Sequence, residues 1–145
     1  MKRPWVYFDS SSFIKLFTNE SGSQEARRIA RKSRMLVNSI TGVECVSALS
    51  RKKAVQEIQD SAFETIVELI RKGLEQVDQL GLNDDVLNRA EMVVIATPLR
   101  ALDALHLASV LEFQSQTGIR LLLVTSDRKQ ESAAKMQGIR TQLIE

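Results

Sequence analysis

From Arg120 to Thr125 the chain reads Leu121-Leu122-Leu123-Val124 without interruption, an apolar run with no polar alternation. A strand of that kind has no face to offer water, so it belongs inside a sheet covered on both sides. Val6-Tyr7-Phe8, after Pro4 and closed by Asp9-Ser10-Ser11-Ser12, predicts another strand that hands over to helix-starting residues. Met35-Leu36-Val37 predicts a third, and Thr141 to Ile144 an edge strand. Helical spacing fills the intervals. Phe13, Ile14, Leu16 and Phe17 begin the first helix, and an arginine-rich one follows at about 23–33. Thr41 opens a helix with Val43, Val46, Ala48 and Leu49 as its apolar face. Phe63, Ile66, Val67, Leu69 and Ile70 mark the buried side of the next, at about 61–74. A fifth runs from Asp84 to Thr97 and stops at Pro98. Ala101 to Phe113, nearly all apolar, predicts a helix buried on most sides, and a last helix near 128–137 ends at Gly138. Strands alternating with helices predict an α/β chain with right-handed crossovers and helices on both faces of a parallel sheet. A length of 145 residues, with no repeat or linker, predicts a single domain over 1–145.

Several function classes drop out at once. One cysteine, Cys45, cannot close an internal disulfide, and with one histidine, His106, it cannot assemble a zinc site of the Cys/His type. The cysteine usage and the lack of a signal-like start predict a cytoplasmic protein, and no stretch is apolar enough to predict a membrane span. A net charge of +2 permits a nucleic-acid partner without requiring one.

In parallel sheets ligands bind beyond the carboxyl ends of the strands. Asp9 and Asp127 follow two predicted strands, and Glu44 and Asp103 fall in the first turns of two predicted helices, so all four carboxylates can reach one crevice. Carboxylates gathered that closely repel unless protons or cations neutralise them. With no imidazole or thiolate set available, oxygen donors favour Mg²⁺ or Mn²⁺, and the chemistry they suggest is phosphodiester hydrolysis by a metal-activated water. Each acid also has a plainer explanation. Asp9 and Asp127 can be helix N-caps, Glu44 can close a capping box with Thr41, and Asp103 can complement a helix dipole. Asp103 is hardest to explain away, because Ala101, Leu102, Ala104, Leu105 and Leu107 around it are apolar; His106 and Ser109 continue a polar stripe expected to face a cleft. A Ser109-His106-Asp103 triad is rejected, since a serine in mid-helix has no free backbone N–H groups beside it for an oxyanion hole. His106 is expected to be structural or to support a ligand from behind.

Taken together, Val6-Tyr7-Phe8-Asp9-Ser10-Ser11 with Lys15 and Leu16, Thr41 to Leu49 around Glu44, Leu102-Asp103-Ala104-Leu105-His106-Leu107-Ala108, and Leu123-Val124-Thr125-Ser126-Asp127 resemble the PIN-domain family, and within it the VapC-type toxins of toxin–antitoxin pairs. The resemblance covers nearly the whole chain. It implies a three-layer α/β/α sandwich around a mainly parallel sheet and a Mg²⁺- or Mn²⁺-dependent endoribonuclease. It places catalytic and metal-binding acids on Asp9, Glu44, Asp103 and Asp127, with auxiliary hydroxyls on Ser10 and Thr125. It further implies an RNA substrate, a small antitoxin that blocks the acidic pocket, and a homodimer.

Arg128 and Lys129, beside Asp127, are candidate phosphate contacts. Two denser basic clusters, one from Arg27 to Arg34 and one at Arg51-Lys52-Lys53, are available to RNA phosphates, but the complementing of helix dipoles is the favoured reading for both. The aromatics Trp5, Tyr7, Phe8, Phe13 and Phe17 fall in one segment and are expected to pack in the core or at an interface, which leaves no visible stacking platform for bases. Two other functions compete: a catalytically silent PIN-like module that binds RNA or protein, and a phosphohydrolase acting on small phosphate esters.

Overall fold

The computed structural model describes residues 2–145, and every strand among the described residues joins one parallel sheet. In chain order the elements are β1 (Trp5–Phe8), a short helix α1 (Ser10–Phe13) that tightens into a 3₁₀ turn at Ile14–Leu16, and α2 (Ser23–Arg31). β2 (Arg34–Asn38), α3 (Thr41–Ala54), α4 (Asp60–Glu75), β3 (Asp78–Leu80) and α5 (Asp84–Ala96) follow. The chain ends with α6 (Ala101–Thr117), β4 (Leu122–Thr125), α7 (Arg128–Met136) and β5 (Arg140–Leu143). The sheet order is β3-β2-β1-β4-β5, with Tyr7 aligned on Leu36 of β2 and on Leu123 of β4. The strand order reverses between β1 and β4, the place where an open α/β sheet leaves a crevice.

Strand pleating splits the core into two layers, as the α/β/α expectation requires. Val6, Phe8, Val37 and Val124 pack with side chains of α1 to α4, while Tyr7, Leu36, Leu121 and Leu123 pack with α5, α6 and α7. Phe8, Leu123 and Leu107 are fully buried, and each such side chain contributes about 1.5–3 kcal/mol over its exposed state.

The structure differs from the sequence reading in places. β3 was not expected: Asp78-Gln79-Leu80 carries no apolar alternation and forms because β2 has a free edge to pair with. α6 runs past Phe113 to Thr117 and stops only at Gly118, whose φ of 72° is a left-handed cap that a side chain would resist. Val43 and Leu69 point outward, at 67% and 45% exposure, and buried Cys45 takes a place on the α3 face that had been given to Val43. Ser109 does not continue the polar stripe into a cleft. It is buried, accepts from Asn38 Nδ2 at 2.7 Å and donates to the Leu105 carbonyl at 2.8 Å. Among the described residues no single helix is long and apolar enough to cross a membrane.

Candidate active site

A cleft of about 220 Å³ opens at the carboxyl ends of β1 and β4, and Asp9, Glu44, Asp103 and Asp127 all line it. Ser10, Ser11, Arg51 and His106 complete its walls. A wider, shallower hollow of about 1030 Å³ lies elsewhere, between Asn19 and Arg31, where Arg27, Arg28 and Arg31 mix with Glu20, Glu25 and Glu145. Size does not identify a site; the smaller cleft is the candidate, because four carboxylates are gathered there.

The N-cap reading of Asp9 and Asp127 is correct, and it does not compete with the cleft. Asp9 Oδ1 caps α1 through the Ser12 N–H at 3.1 Å, and also accepts from Ser11 Oγ at 2.7 Å and Ser12 Oγ at 3.1 Å. Its Oδ2 accepts from Thr125 Oγ1 at 2.5 Å, which ties the end of β1 to the end of β4. Ser11 Oγ also accepts from the Ser126 N–H at 3.0 Å, a second tie across the same junction. Asp127 caps α7 through the Lys129 N–H at 2.8 Å and, more loosely, the Gln130 N–H at 3.4 Å.

The capping-box reading of Glu44 fails. Thr41 is already inside α3, the N-cap is Ile40, and no side chain caps that end. Glu44 Oε1 instead accepts from Ser10 Oγ at 2.6 Å and meets His106 Nε2 at 2.7 Å. Burial works against its charge, but the hydrogen bond and charge of His106 and the Ser10 hydroxyl outweigh it and hold the carboxyl below its ordinary range. Asp103 is the opposite case. Half-buried, with no hydrogen-bond donor to its carboxylate among the described residues, it is pushed above the ordinary range by burial and then by Asp127, with Asp9 and Glu44 adding to the effect and His106 opposing it. Gln130 keeps it there: the buried Nε2 donates to the Asp103 carbonyl at 3.1 Å and pins the start of α6 to α7.

These oxygens suit a hard divalent cation. Among the described residues no three His, Cys, Asp or Glu side chains already close on one point, so the cleft is an open set of converging carboxylates. Mg²⁺ accepts such a setting because it keeps several waters and takes only one or two carboxylates directly.

Sequence reasoning missed several participants. Tyr7 had been assigned to packing, yet its hydroxyl reaches His106 Nδ1 at 2.7 Å. The signal was present in the strand alternation, which turns Tyr7 toward α6, since a buried tyrosine O–H needs a partner. Ser11 and Gln130 carried no signal beyond their polarity. Of the basic groups, Arg51 lines the cleft, whereas Arg128 is engaged by Glu145 at 2.6 Å and Arg27 by the Thr18 carbonyl at 2.5 Å.

A five-stranded parallel sheet with an acid after its first strand, and three more brought round the same crevice, defines a PIN-type architecture. The PIN domain family model matches residues 6–136, and the chain belongs to that family. Ribonuclease VapC46 of Mycobacterium tuberculosis (strain ATCC 25618 / H37Rv) is 31% identical over 134 residues, covering 92% of this chain and 93% of the relative. Among solved structures, the DNA-bound VapBC from Salmonella typhimurium superposes with a TM-score of 0.65 at 17% identity, covering 97% of each chain. The sarcin-ricin loop cleaving toxin VapC20 of Mycobacterium tuberculosis superposes at 0.64 with 16% identity, covering 88% of this chain and 94% of that one.

Proposed function

We propose that the chain is a metal-dependent endoribonuclease, the toxin of a type II toxin–antitoxin pair, acting in the cytoplasm as one nuclease domain over 1–145. The observation that carries this reading is the convergence of Asp9, Glu44, Asp103 and Asp127 on one cleft, where Asp103 has like charges around it and no hydrogen-bond donor. The ribonuclease name of the VapC46 relative supports it.

Asp9, Glu44, Asp103 and Asp127 would hold Mg²⁺ or Mn²⁺, which when bound acidifies a coordinated water and neutralises the phosphodiester. The residues of the chain do the positioning. Thr125 and Ser11 fix Asp9, Ser10 fixes Glu44, and Asp127 is oriented by the N-terminus of α7. Among the described residues near the cleft, Arg51 and the exposed Lys129 have no carboxylate partner and can meet a phosphate, with Arg128 available only when it leaves Glu145.

The partner reading rests on the solved relatives, one of which is a VapBC assembly on DNA. A small antitoxin that covers the carboxylate cleft, and a homodimer, are the assembly we assign. Large apolar side chains left exposed on α5 and at the start of α6, Met92 at 64%, Ile95 at 86% and Leu102 at 52%, offer surface for such contacts.

The test is cleavage of structured and single-stranded RNA with Mg²⁺ or Mn²⁺, with EDTA and Asp9→Asn as controls. Metal-dependent cleavage lost in the variant, by at least roughly a hundredfold, is expected. Equal behaviour of wild type and variant, with no cleavage and no divalent-ion effect on melting, would leave a silent binding module. Turnover of a small phosphomonoester in place of RNA would point to a phosphohydrolase.

A further inference from the structure

The cleft accounts for the four acids and leaves two buried polar aromatics over. His106 is 1% exposed and Tyr7 fully buried, and between them they form a hydrogen-bonded line that ends on Glu44. Tyr7 hangs from the middle of β1 on the α6 side of the sheet; His106 descends from α6 to meet it; Glu44 approaches from α3. Three separate elements are thus joined through one imidazole.

Proton placement along this line has a definite sense. A carboxylate is an acceptor only, so the bond from His106 Nε2 to Glu44 Oε1 needs its proton on Nε2. In a neutral ring Nδ1 is then a bare acceptor, and the Tyr7 O–H at 2.7 Å is the donor that satisfies it. The opposite tautomer would set a nitrogen lone pair against the Glu44 carboxylate and leave the Tyr7 hydroxyl to turn elsewhere in a buried setting.

We propose that Tyr7 and His106 are positioning residues for Glu44: Tyr7 selects the Nε2–H tautomer of His106, and His106 with Ser10 pins one oxygen of Glu44, leaving the second available to a divalent cation. This inference rests on the nuclease reading of the cleft. It differs from a packing role because it makes the direction of two hydrogen bonds, and not the volume of the ring, the thing that matters.

The test uses Mn²⁺ alone as the probe, with protein stripped by EDTA and binding followed by calorimetry and by the loss of the free-ion electron paramagnetic resonance signal. His106→Leu, which fills space without a donor, is expected to weaken Mn²⁺ binding roughly ten- to a hundredfold. His106→Gln, whose amide can donate to Glu44, should recover most of that loss. Tyr7→Phe, which removes one hydroxyl, should weaken binding severalfold. Because His106 is the sole histidine, its ¹⁵N resonances at pH 8 report the tautomer directly: Nε2-protonated in wild type, and a mixture in Tyr7→Phe. If His106→Leu fails to fold, the Tyr7→Phe affinity and the tautomer decide the matter. Wild-type Mn²⁺ affinity in every folded variant, or a wild-type ring protonated on Nδ1, overturns the relay while leaving the nuclease reading intact. Wild-type protein that neither takes up Mn²⁺ nor cleaves RNA overturns both.

Discussion

Asp9 is held by Ser11, Ser12 and Thr125, and Glu44 by Ser10 and His106; across the cleft Asp103 receives no donor from the described residues, and Asp127 is held only by backbone N–H groups of its own helix. The two sides of one site are built by different physics. On the β1–α3 side, hydroxyls and an imidazole stabilise charge and fix geometry before any cation arrives. On the α6–α7 side, charge is held against its own preference, and the pKa directions say so: Glu44 is lowered and Asp103 raised. A cation bound as proposed would find ready-made ligands on one wall and relieve repulsion on the other. Repulsion kept in the metal-free protein would favour that binding, because the cation would remove a cost the fold already bears.

The largest effects come from neutralising one acid on each side. Asp9→Asn and Asp103→Asn should each cut metal-dependent cleavage by at least roughly a hundredfold. Their effects on the metal-free fold should have opposite signs. Asp9 is 3% exposed and accepts on both oxygens, so an amide there turns an N–H₂ toward hydroxyl donors and costs about 1–3 kcal/mol. Asp103→Asn removes a repelled charge and should stabilise by about half a kcal/mol, once solvent screening is allowed for. Urea denaturation in EDTA measures both; two losses of similar size would erase the distinction between the walls. Adding Mn²⁺ at about a hundred times its Kd should raise wild-type stability by about 2.7 kcal/mol and leave both variants nearly unmoved.

Acid titration separates the walls more finely. A carboxyl whose folded pKa is raised destabilises the fold at pH above that value and ceases to do so as pH falls through it. A carboxyl whose folded pKa is lowered stabilises the fold above its unfolded value, and that stability is lost as pH falls through the folded one. Asp103 therefore takes up its proton first on acidification and Glu44 later. In metal-free protein the stability advantage of Asp103→Asn over wild type should shrink over the window in which Asp103 takes up its proton, at higher pH than the one in which Glu44 does. Metal affinity of the wild type should fall over the same window, since a protonated Asp103 no longer attracts the ion. An advantage that stays constant with pH would show that Asp103 carries no raised pKa.

How much of this could be seen in the residues alone follows the same division. Asp9 and Asp127 were legible because each ends an apolar strand, and strand ends are where parallel sheets bind ligands. Asp103 was legible because a charge among Ala101, Leu102, Ala104 and Leu105 has no local reason to be there. Ser10 and Thr125 entered by resemblance, and the structure shows them bonded to Glu44 and Asp9. The Tyr7–His106–Glu44 line was not legible: its partners lie on β1, α6 and α3, and only the packing of α6 over the sheet brings them together. β3 escaped for a related reason, since an edge strand of Asp78-Gln79-Leu80 is chosen by the neighbour it pairs with. Val43 was misplaced because helical spacing alone does not set which of two adjacent faces turns inward, and Cys45 won that place on α3.

The smallest effects concern how RNA reaches the two walls. Arg51 reaches the cleft from α3, on the braced side, where its guanidinium contacts Ser47 Oγ at 2.8 Å and no carboxylate. Arg128 stands on the bare side beside Asp127, but Glu145 holds its Nε at 2.6 Å. A phosphate must displace Glu145 to use Arg128, whereas it can use Arg51 by replacing one neutral hydroxyl contact. Arg51→Ala should therefore raise KM for RNA severalfold with kcat little changed, and reduce the slope of log affinity against log salt by about one. Arg128→Ala should do less, and Glu145→Gln, which frees Arg128, should tighten RNA binding slightly. Fluorescence-anisotropy titrations at several salt concentrations with a non-cleavable RNA would resolve the order. A larger loss from Arg128→Ala or Lys129→Ala than from Arg51→Ala would mean that substrate phosphates gather on the α7 wall, where the uncompensated Asp103 carboxylate would repel them until a cation is bound, so RNA and metal would then bind in a fixed order.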